Sequence, residues 1–421
     1  MNIIAAVRHY LVFSLTAAHV AGRYLFRLPL KECPGFIRRA VILLRAFRHN
    51  RPVRLGKGYK LQLYLPAWPS PAFFSALENK LLRRPPAPTS VVFSMTGACT
   101  YHCPHCYQKL ECGVDIPEPL LLDTLQHTLD AGVSFYNIEG GEPFMRPERL
   151  LRMLECLKGR AEAWVNTTGH GVSAAMLRKA GEAGMQGIMV SIHSCDSAAH
   201  DAFTGVPGSF TAARAVLEAA AQLGLGTAIN SVLSEGEIRS GGIDRLMELA
   251  ADIGVGFVQL IHPKPCGGWL HDNEPMQLER DVLEKIEQAH IRYNAAGKNG
   301  PALSAQAFEE RRDGFGCTAG GIDRFYISAT GEVQPCEFLQ ISFGNVARES
   351  FDEIFMRMRQ YFALPRTDWL CCSLQPEIAR VMHQEGVTIT PLSWEKAGEL
   401  LSLLSKGKET PLYKKMRIYK P

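Results

Sequence analysis

Cys99-Thr-Tyr-His-Cys103-Pro-His-Cys106 places three thiols within eight residues, with no fourth at matched spacing. Thiolates are the ligands of iron–sulfur clusters, and a cluster held by three of them leaves one iron free to chelate a small molecule. The same loop contains His102 and His105, either of which would complete a Cys₃His zinc site. The loop alone therefore admits two metals. A second chemical motif, Glu139-Gly140-Gly141-Glu142-Pro143, pairs two glycines that permit close approach of a ligand to the backbone with a carboxylate, Glu142, that accepts from an ammonium group. A third feature lies downstream: Cys317, thirteen residues, Gly331, four residues, Cys336, then Gly344-Asn345-Val346 and the adjacent Cys371-Cys372.

These residues need rigid elements behind them. From about Val91 the chain alternates β-rich runs with longer helical patterns, at Val91–Met95, Val133–Ile138, Ala163–Asn166, Gly187–Ile192, Thr227–Val232 and Gly256–Leu260. Strands alternating with helices give a parallel sheet with right-handed crossovers, and six units predict an α/β fold, a partial (β/α)6 TIM-like barrel with its chemistry at the C-terminal strand edges. Each motif falls at such an edge. A helical stretch is expected near 276–297. Phe325-Tyr-Ile-Ser-Ala-Thr-Gly-Glu-Val-Gln334 then reads as a β-hairpin inside a small C-terminal β-hairpin/α module. The expected organisation is an N-terminal helical, basic region over 1–89, the barrel over 90–300, the auxiliary module over 310–375 and a helix with a basic tail over 376–421. The Pro-rich linker Arg83–Thr89 ends the first region, because proline cannot continue a helix.

In this order the motifs resemble the radical SAM superfamily, in which Cys-x3-Cys-x2-Cys holds a [4Fe–4S] cluster and Gly-Gly-Glu-Pro binds the amino group of S-adenosylmethionine (SAM). The resemblance implies that Cys99, Cys103 and Cys106 hold that cluster. It also implies SAM contacts from Tyr107 beside the adenine, from Gly140, Gly141, Glu142 and Pro143, from Asn166, Ser191, His193 and Asn230 at later strand ends, and from Leu260 and Ile261 as the apolar contact to adenine. In the family the cluster reductively cleaves SAM to a 5′-deoxyadenosyl radical, which abstracts hydrogen from a substrate. His200–Phe210 resembles a stretch in which relatives carry Arg at the place of Thr204, so the SAM carboxylate passes to Ser191, His193 or an arginine elsewhere.

The later cysteines resemble a truncated SPASM, twitch-like extension supplying one auxiliary [4Fe–4S] cluster. Cys317 and Cys336 are its expected ligands. One of Cys371 and Cys372 is the third, since neighbouring residues point their side chains apart, and Cys266, a substrate or nothing is the fourth. Cys33, Cys112, Cys156 and Cys195 are expected to be structural.

With 46% hydrophobic and 21% charged residues in 421, the chain reads as folded and globular rather than disordered. Its 12 cysteines are too sparse for a secreted disulfide scaffold. Residues 1–60 carry twelve Lys or Arg against one acid, Glu32, a block that suits an anionic partner. Arg8 and the apolar run Tyr10–Gly22 imitate a signal peptide, but the run is too short to span a bilayer. An interfacial helix is the expectation, with a cytoplasmic enzyme peripheral on the inner face of the membrane through residues 1–80. Trp68, Phe73 and Phe74 either pack on the domain or dip into headgroups. The expected substrate is then a membrane lipid or isoprenoid. The alternatives are peptide modification, with the N-terminus binding a leader through at most one strand pair in residues 53–64, and a non-catalytic zinc-binding adaptor. The electron donor is expected to be a flavodoxin or ferredoxin, and nucleic acid is not an expected partner.

Overall fold

The computed structural model describes residues 2–84, 86–270, 278–405 and 407–419. One position of the expected linker, the start of the expected 276–297 helix and the last two tail residues lie outside the described residues. The chain begins with two helices, α1 (Ile3–Leu25) and α2 (Cys33–Ala46), then the hairpin β1 (Val53–Leu55) and β2 (Gly58–Lys60), then α3 (Pro71–Leu81). Six parallel strands follow, separated by helices: β3 (Ser90–Ser94), β4 (Phe135–Glu139), β5 (Glu162–Thr167), β6 (Met185–Ser191), β7 (Gly226–Val232) and β8 (Phe257–Ile261). They match the six expected runs. The expected helix near 276–297 is described over Arg280–Tyr293.

The sheet is wider than those six. β9 (Ala302–Ala305) adds in parallel beyond β8, while β10 (Arg324–Ile327) pairs in parallel with β3 and antiparallel with β11 (Val333–Gln334). The order is β11-β10-β3-β4-β5-β6-β7-β8-β9, nine strands with two free edges, hence an open barrel. The expected hairpin is present, yet its first strand is a member of the barrel sheet. Two short strands, β12 (Ile341–Ser342) and β13 (Leu392–Ser393), form a separate parallel pair.

Two apolar layers hold this sheet. Alternate strand residues face the outer helices, where Val91, Ile138, Val165, Ile188, Ile229 and Val258 are buried with Leu125, Leu154, Leu177 and Leu217. The opposite set, Phe135, Trp164, Met189, Ala228, Phe257 and Ala302, closes around Leu63 at the base of the barrel. The hairpin β1–β2 and its following turn thus plug the barrel from below. Lys60, fully buried, donates to Glu162 on β5 at 2.6 Å and lies 4.5 Å from the Phe135 ring centre.

A third core joins both ends of the chain: Val12, Val20, Tyr24, Phe36 and Leu43 pack with Phe73, Phe74, Leu412, Tyr413 and Met416. Phe73 and Phe74 are therefore buried, and Trp68 stands against His19 with centroids 6.0 Å apart. The apolar run expected at Tyr10–Gly22 extends further in both directions, because Asn2 caps the helix by accepting from Ala5 and residues 3–7 are themselves apolar. At 23 residues α1 is long and apolar enough to cross a bilayer by length and composition, which corrects the expectation that it was too short.

Candidate active site at the C-terminal strand edges

The three-cysteine loop leaves the end of β3 under tight local control. Asp115 accepts from Thr96 Oγ1 at 2.6 Å and from the Gly97 amide at 2.8 Å, and Thr96 Oγ1 in turn accepts from the Ala98 amide. The Gly-Gly turn at the end of β4 then docks on this loop. The Gly141 amide donates to Thr96 O and the Glu142 amide to Ala98 O, both at 2.7 Å. A Cβ on Gly140 would stand 2.3 Å from Thr96 O, and one on Gly141 would stand 2.2 Å from Ala98 O and 2.9 Å from Cys99 Cβ. Gly140 also has φ of +143°. The cysteine loop itself thus requires both glycines.

Glu142 departs from its expected role as well. It is 1% exposed, and its oxygens accept from Thr167 Oγ1 and Thr168 Oγ1 at 2.7 Å, from the Thr168 amide at 2.8 Å and from the Phe144 amide at 3.2 Å. A carboxylate has about four acceptor positions, and in this arrangement four donors already meet them. Glu142 instead ties the end of β5 to the Gly-Gly turn. Pro143 is buried beside it. Leu260 is 3% exposed in the layer between sheet and helices, whereas Ile261 faces the cavity. Neighbouring strand residues point to opposite faces, so only one of the two can touch a ligand.

The cavity between these motifs has a volume of about 440 Å³, within the usual range for small-molecule sites. Cys99, Cys103, Cys106, Tyr107, Glu139, Gly140, Gly141, Asn166, Ser191, His193, Asn230 and Ile261 line it. Glu139 was absent from the expected set and is central: it accepts from Tyr107 Oη at 2.8 Å and Asn166 Nδ2 at 2.7 Å, and burial raises its carboxyl to about 8. Asn166 Oδ1 and Asn230 Oδ1 are buried without partners. Orphaned acceptors on a cavity wall are the signature of a polar ligand, and SAM, with its ribose hydroxyls and ammonium group, supplies the matching donors.

Burial pushes the Cys103 thiol up to about 11 and Cys106 to about 12, so these sulfurs keep their protons until a cation replaces them. Cluster iron provides that charge. His105 packs on His193, 4.5 Å between centroids, and stacks on Phe203. His193 Nδ1 accepts from the Val232 amide at 3.3 Å, and burial holds both rings well below the ordinary histidine value. Thr204, at the position where the resemblance implies Arg, bonds Ser209 Oγ at 2.7 Å. Among the described residues the lining has no arginine, and its lysines are Lys109 and Lys264.

Lys264 belongs to the loop of Cys266, of which the sequence reading named that cysteine alone. His262-Pro-Lys264-Pro-Cys266-Gly267-Gly268 leaves β8 at the same edge as the other motifs, a position that flags it. Gly268 donates to Cys106 O at 3.0 Å and Gly267 to Gln340 Oε1 at 2.8 Å, so the loop joins the first cysteine set to the C-terminal module. Lys264 Nζ stands 2.7 Å from His262 Nε2 and 4.7 Å from the Trp369 ring centre. Cys372 Sγ lies 3.9 Å from His262 Nε2. Cys317, Cys336 and Cys371 are buried, each with its thiol raised first by burial or, for Cys371, by its bond to Cys372. A thiolate at Cys371 would raise the thiols of Cys266, Cys317 and Cys336 further. Cys371 and Cys372 hold their sulfurs 4.0 Å apart on the first turn of the helix Leu370–Gln384. That corrects the expectation that their side chains diverge, because successive helical residues are only about 100° apart.

Comparison with known proteins agrees with this geometry. The Radical SAM superfamily profile matches residues 93–241, and an iron–sulfur cluster-binding domain, SPASM, matches residues 317–373. The chain is 28% identical over 308 residues to the PqqA peptide cyclase of Streptomyces rochei, covering 68% of this chain and 80% of that protein. It is 26% identical over 295 residues to the AdoMet-dependent heme synthase of Methanosarcina barkeri, covering 64% and 82%. Among solved structures, Streptococcus suis SuiB bound to S-adenosylmethionine superposes with a TM-score of 0.51 at 15% identity over 64% of this chain and 65% of its own. Native anSMEcpe with bound AdoMet gives 0.52 at 16% identity over 65% and 83%. These structural likenesses show the fold. The zinc-adaptor alternative falls with these matches: a [4Fe–4S] cluster, SAM and an auxiliary iron–sulfur cluster are the cofactors, and the chain is an enzyme that carries a radical SAM domain over residues 93–241 and a shortened SPASM extension over residues 317–373.

Proposed function

We propose that this enzyme modifies a peptide. The carrying observation is that the loop His262–Gly268 brings Cys266 into the same cavity as the three-cysteine loop and bonds the C-terminal module through Gln340, in a chain whose relatives include PqqA peptide cyclases. The structure of SuiB bound to the precursor peptide SuiA shares the fold at a TM-score of 0.50. The lipid or isoprenoid substrate expected from the basic N-terminus has less support, since none of the relatives compared above is named for one. Residues 53–60, the expected strand pair for a leader, are engaged in plugging the barrel base.

In this reading Cys99, Cys103 and Cys106 hold the SAM cluster, and Cys317, Cys336 and Cys371 hold the auxiliary one. When bound, the SAM cluster and SAM together supply a hydrogen-abstracting radical. The chain's own residues do the rest. Tyr107, Glu139 and Asn166 form one hydrogen-bonded unit that fixes the cavity wall, while Asn166 and Asn230 offer free acceptors. Lys109 and Lys264 are the cations available to a carboxylate. The electron donor is proposed to be a flavodoxin or ferredoxin.

The test is anaerobic incubation with SAM, dithionite and a library of candidate precursor peptides, read by mass spectrometry. Release of 5′-deoxyadenosine with a peptide that has lost two hydrogens is the expected result. Products found only with lipid extract would reverse the assignment. Cys317→Ala with Cys336→Ala should remove roughly half of the bound iron if each cluster holds the same number of irons.

A further inference from the structure

Helix α1 has two faces that the rest of the fold treats differently. Ala5, His9, Val12, Thr16, Val20 and Tyr24 are buried against the domain. Tyr24 Oη anchors that face by donating to Glu78 Oε1 at 2.8 Å, and the Asn2 amide donates to Gly297 O. The opposite face repeats every four residues, Ile3, Val7, Leu11 and Leu15, with Ile4 and Tyr10 beside it, and all six are exposed, Ile4 by 80%. The turn into α2 continues the pattern, with Phe26 92% and Leu30 90% exposed next to the exposed cations Arg27 and Lys31. On α2, Ile37, Val41 and Leu44 are exposed beside Arg45 and Arg48.

We propose that this surface seats the enzyme on an anionic lipid bilayer, with α1 lying in the interface and Phe26 and Leu30 dipping below the headgroups. A membrane-spanning placement is excluded by the other face: crossing would strip Val12, Val20 and Tyr24 from Phe73 and Phe74 and would carry Thr16 and His9 into hydrocarbon. A second copy of the chain is disfavoured by charge. Arg8, Arg27, Lys31, Arg45 and Arg48 are exposed around the apolar face, with Glu32 the one acid of residues 1–60, and a symmetric contact would set one such group of cations against another. An anionic surface answers both features, since apolar residues bury into the headgroup boundary while flanking Lys and Arg meet lipid phosphates. The face is already folded in the free protein, so no helix has to form on binding. The inference stands independently of the peptide reading, because it concerns where the enzyme works and not what it attacks.

The experiment is flotation of the full-length, anaerobically reconstituted enzyme with vesicles of phosphatidylcholine containing phosphatidylglycerol, against phosphatidylcholine alone. Wild type should float with the anionic vesicles and release into about 0.5 M salt, where exposed charges are screened within a few ångströms. Combining Ile4→Glu, Val7→Glu and Leu11→Glu should lower vesicle binding more than about tenfold while leaving 5′-deoxyadenosine release in solution unchanged. Arg27→Ala with Lys31→Ala, which disturbs no helix, should weaken binding to anionic vesicles about fivefold per charge and binding to neutral vesicles little. Wild type that stays in the soluble fraction overturns the proposal. So does either variant floating as well as wild type, or dissociation of a wild-type oligomer by the glutamates without any vesicle binding, which would make the face a protein interface.

Discussion

Glu142 shows how a buried carboxylate can tie two strand ends of a site together. Four donors converge on it from the end of β5 and from Phe144, so Glu142→Ala leaves the buried Thr167 hydroxyl and Phe144 amide and the half-buried Thr168 donors without this partner and should cost about 3 kcal/mol, read as a lower urea midpoint of the anaerobic protein. Glu139 is the carboxylate that meets the cavity, and its titration has a definite sign. Its carboxyl is raised to about 8 by burial, with Glu337 adding to it, so in the SAM-free enzyme it carries a proton at neutral pH. A cationic ligand favours the ionised form, so the complex binds fewer protons than the free enzyme. SAM affinity should therefore rise with pH up to about 8 and then level off. Calorimetry in buffers of different ionisation enthalpy should detect the released proton, and Glu139→Gln should abolish both effects. The spacing of Cys99, Cys103, Cys106 and Gly140-Gly141 was legible in the sequence because chemistry fixes it. The roles of Glu142 and Pro143 were not, because the donors that meet a turn residue come from the end of a neighbouring strand, and that of Leu260 was not, because a one-residue change of strand parity moves a side chain from cavity to core.

At the scale of elements, the six barrel strands could be read from their β-rich runs, whereas β9 and the placement of β10 could not. Ala302-Leu-Ser-Ala305 is short and made of weak strand formers, and it is a strand only because β8 offers it an open edge. β10 was foreseen as half of a local hairpin, but its register, Phe325 opposite Val91 and Ile327 opposite Phe93, is a contact across more than half the chain that no local pattern encodes. The plug hairpin is a similar case. Lys60 reads as one more residue of a basic surface block and is instead fully buried, held by Glu162 and Leu65 O. Lys60→Met strands the Glu162 carboxylate in the barrel base and should cost about 3–5 kcal/mol, while adding Glu162→Gln should restore part of that by removing the unpaired charge. Equilibrium unfolding of the two variants separates this from simple loss of packing on Phe135 and Trp164, which the second substitution would not repair.

For the whole molecule, the two ends of the chain act as one clamp below the barrel, while the chemistry is held at the opposite strand ends. The C-terminal helix Pro411–Met416 packs on α2, and Tyr413, 6% exposed, meets Phe315 and Tyr419 with centroids 6.4 and 5.5 Å away. That union is invisible in sequence because its halves are about 370 residues apart, and the basic tail reads as solvated when its apolar residues are not. Since the clamp and the cavity share no side chain among the described residues, damage to one should leave the other standing. Tyr413→Ala should cost about 3 kcal/mol of clamp stability by opening a cavity among aromatic rings. In hydrogen exchange, amides of residues 34–47 should lose protection, because α2 loses its partner, while β3–β8 and the three-cysteine loop keep theirs. Iron content and the visible spectrum should stay at wild-type values. Equal loss of protection in the strands would instead show that the ends and the barrel unfold as a single unit, with the clamp needed to hold the cluster loop in place.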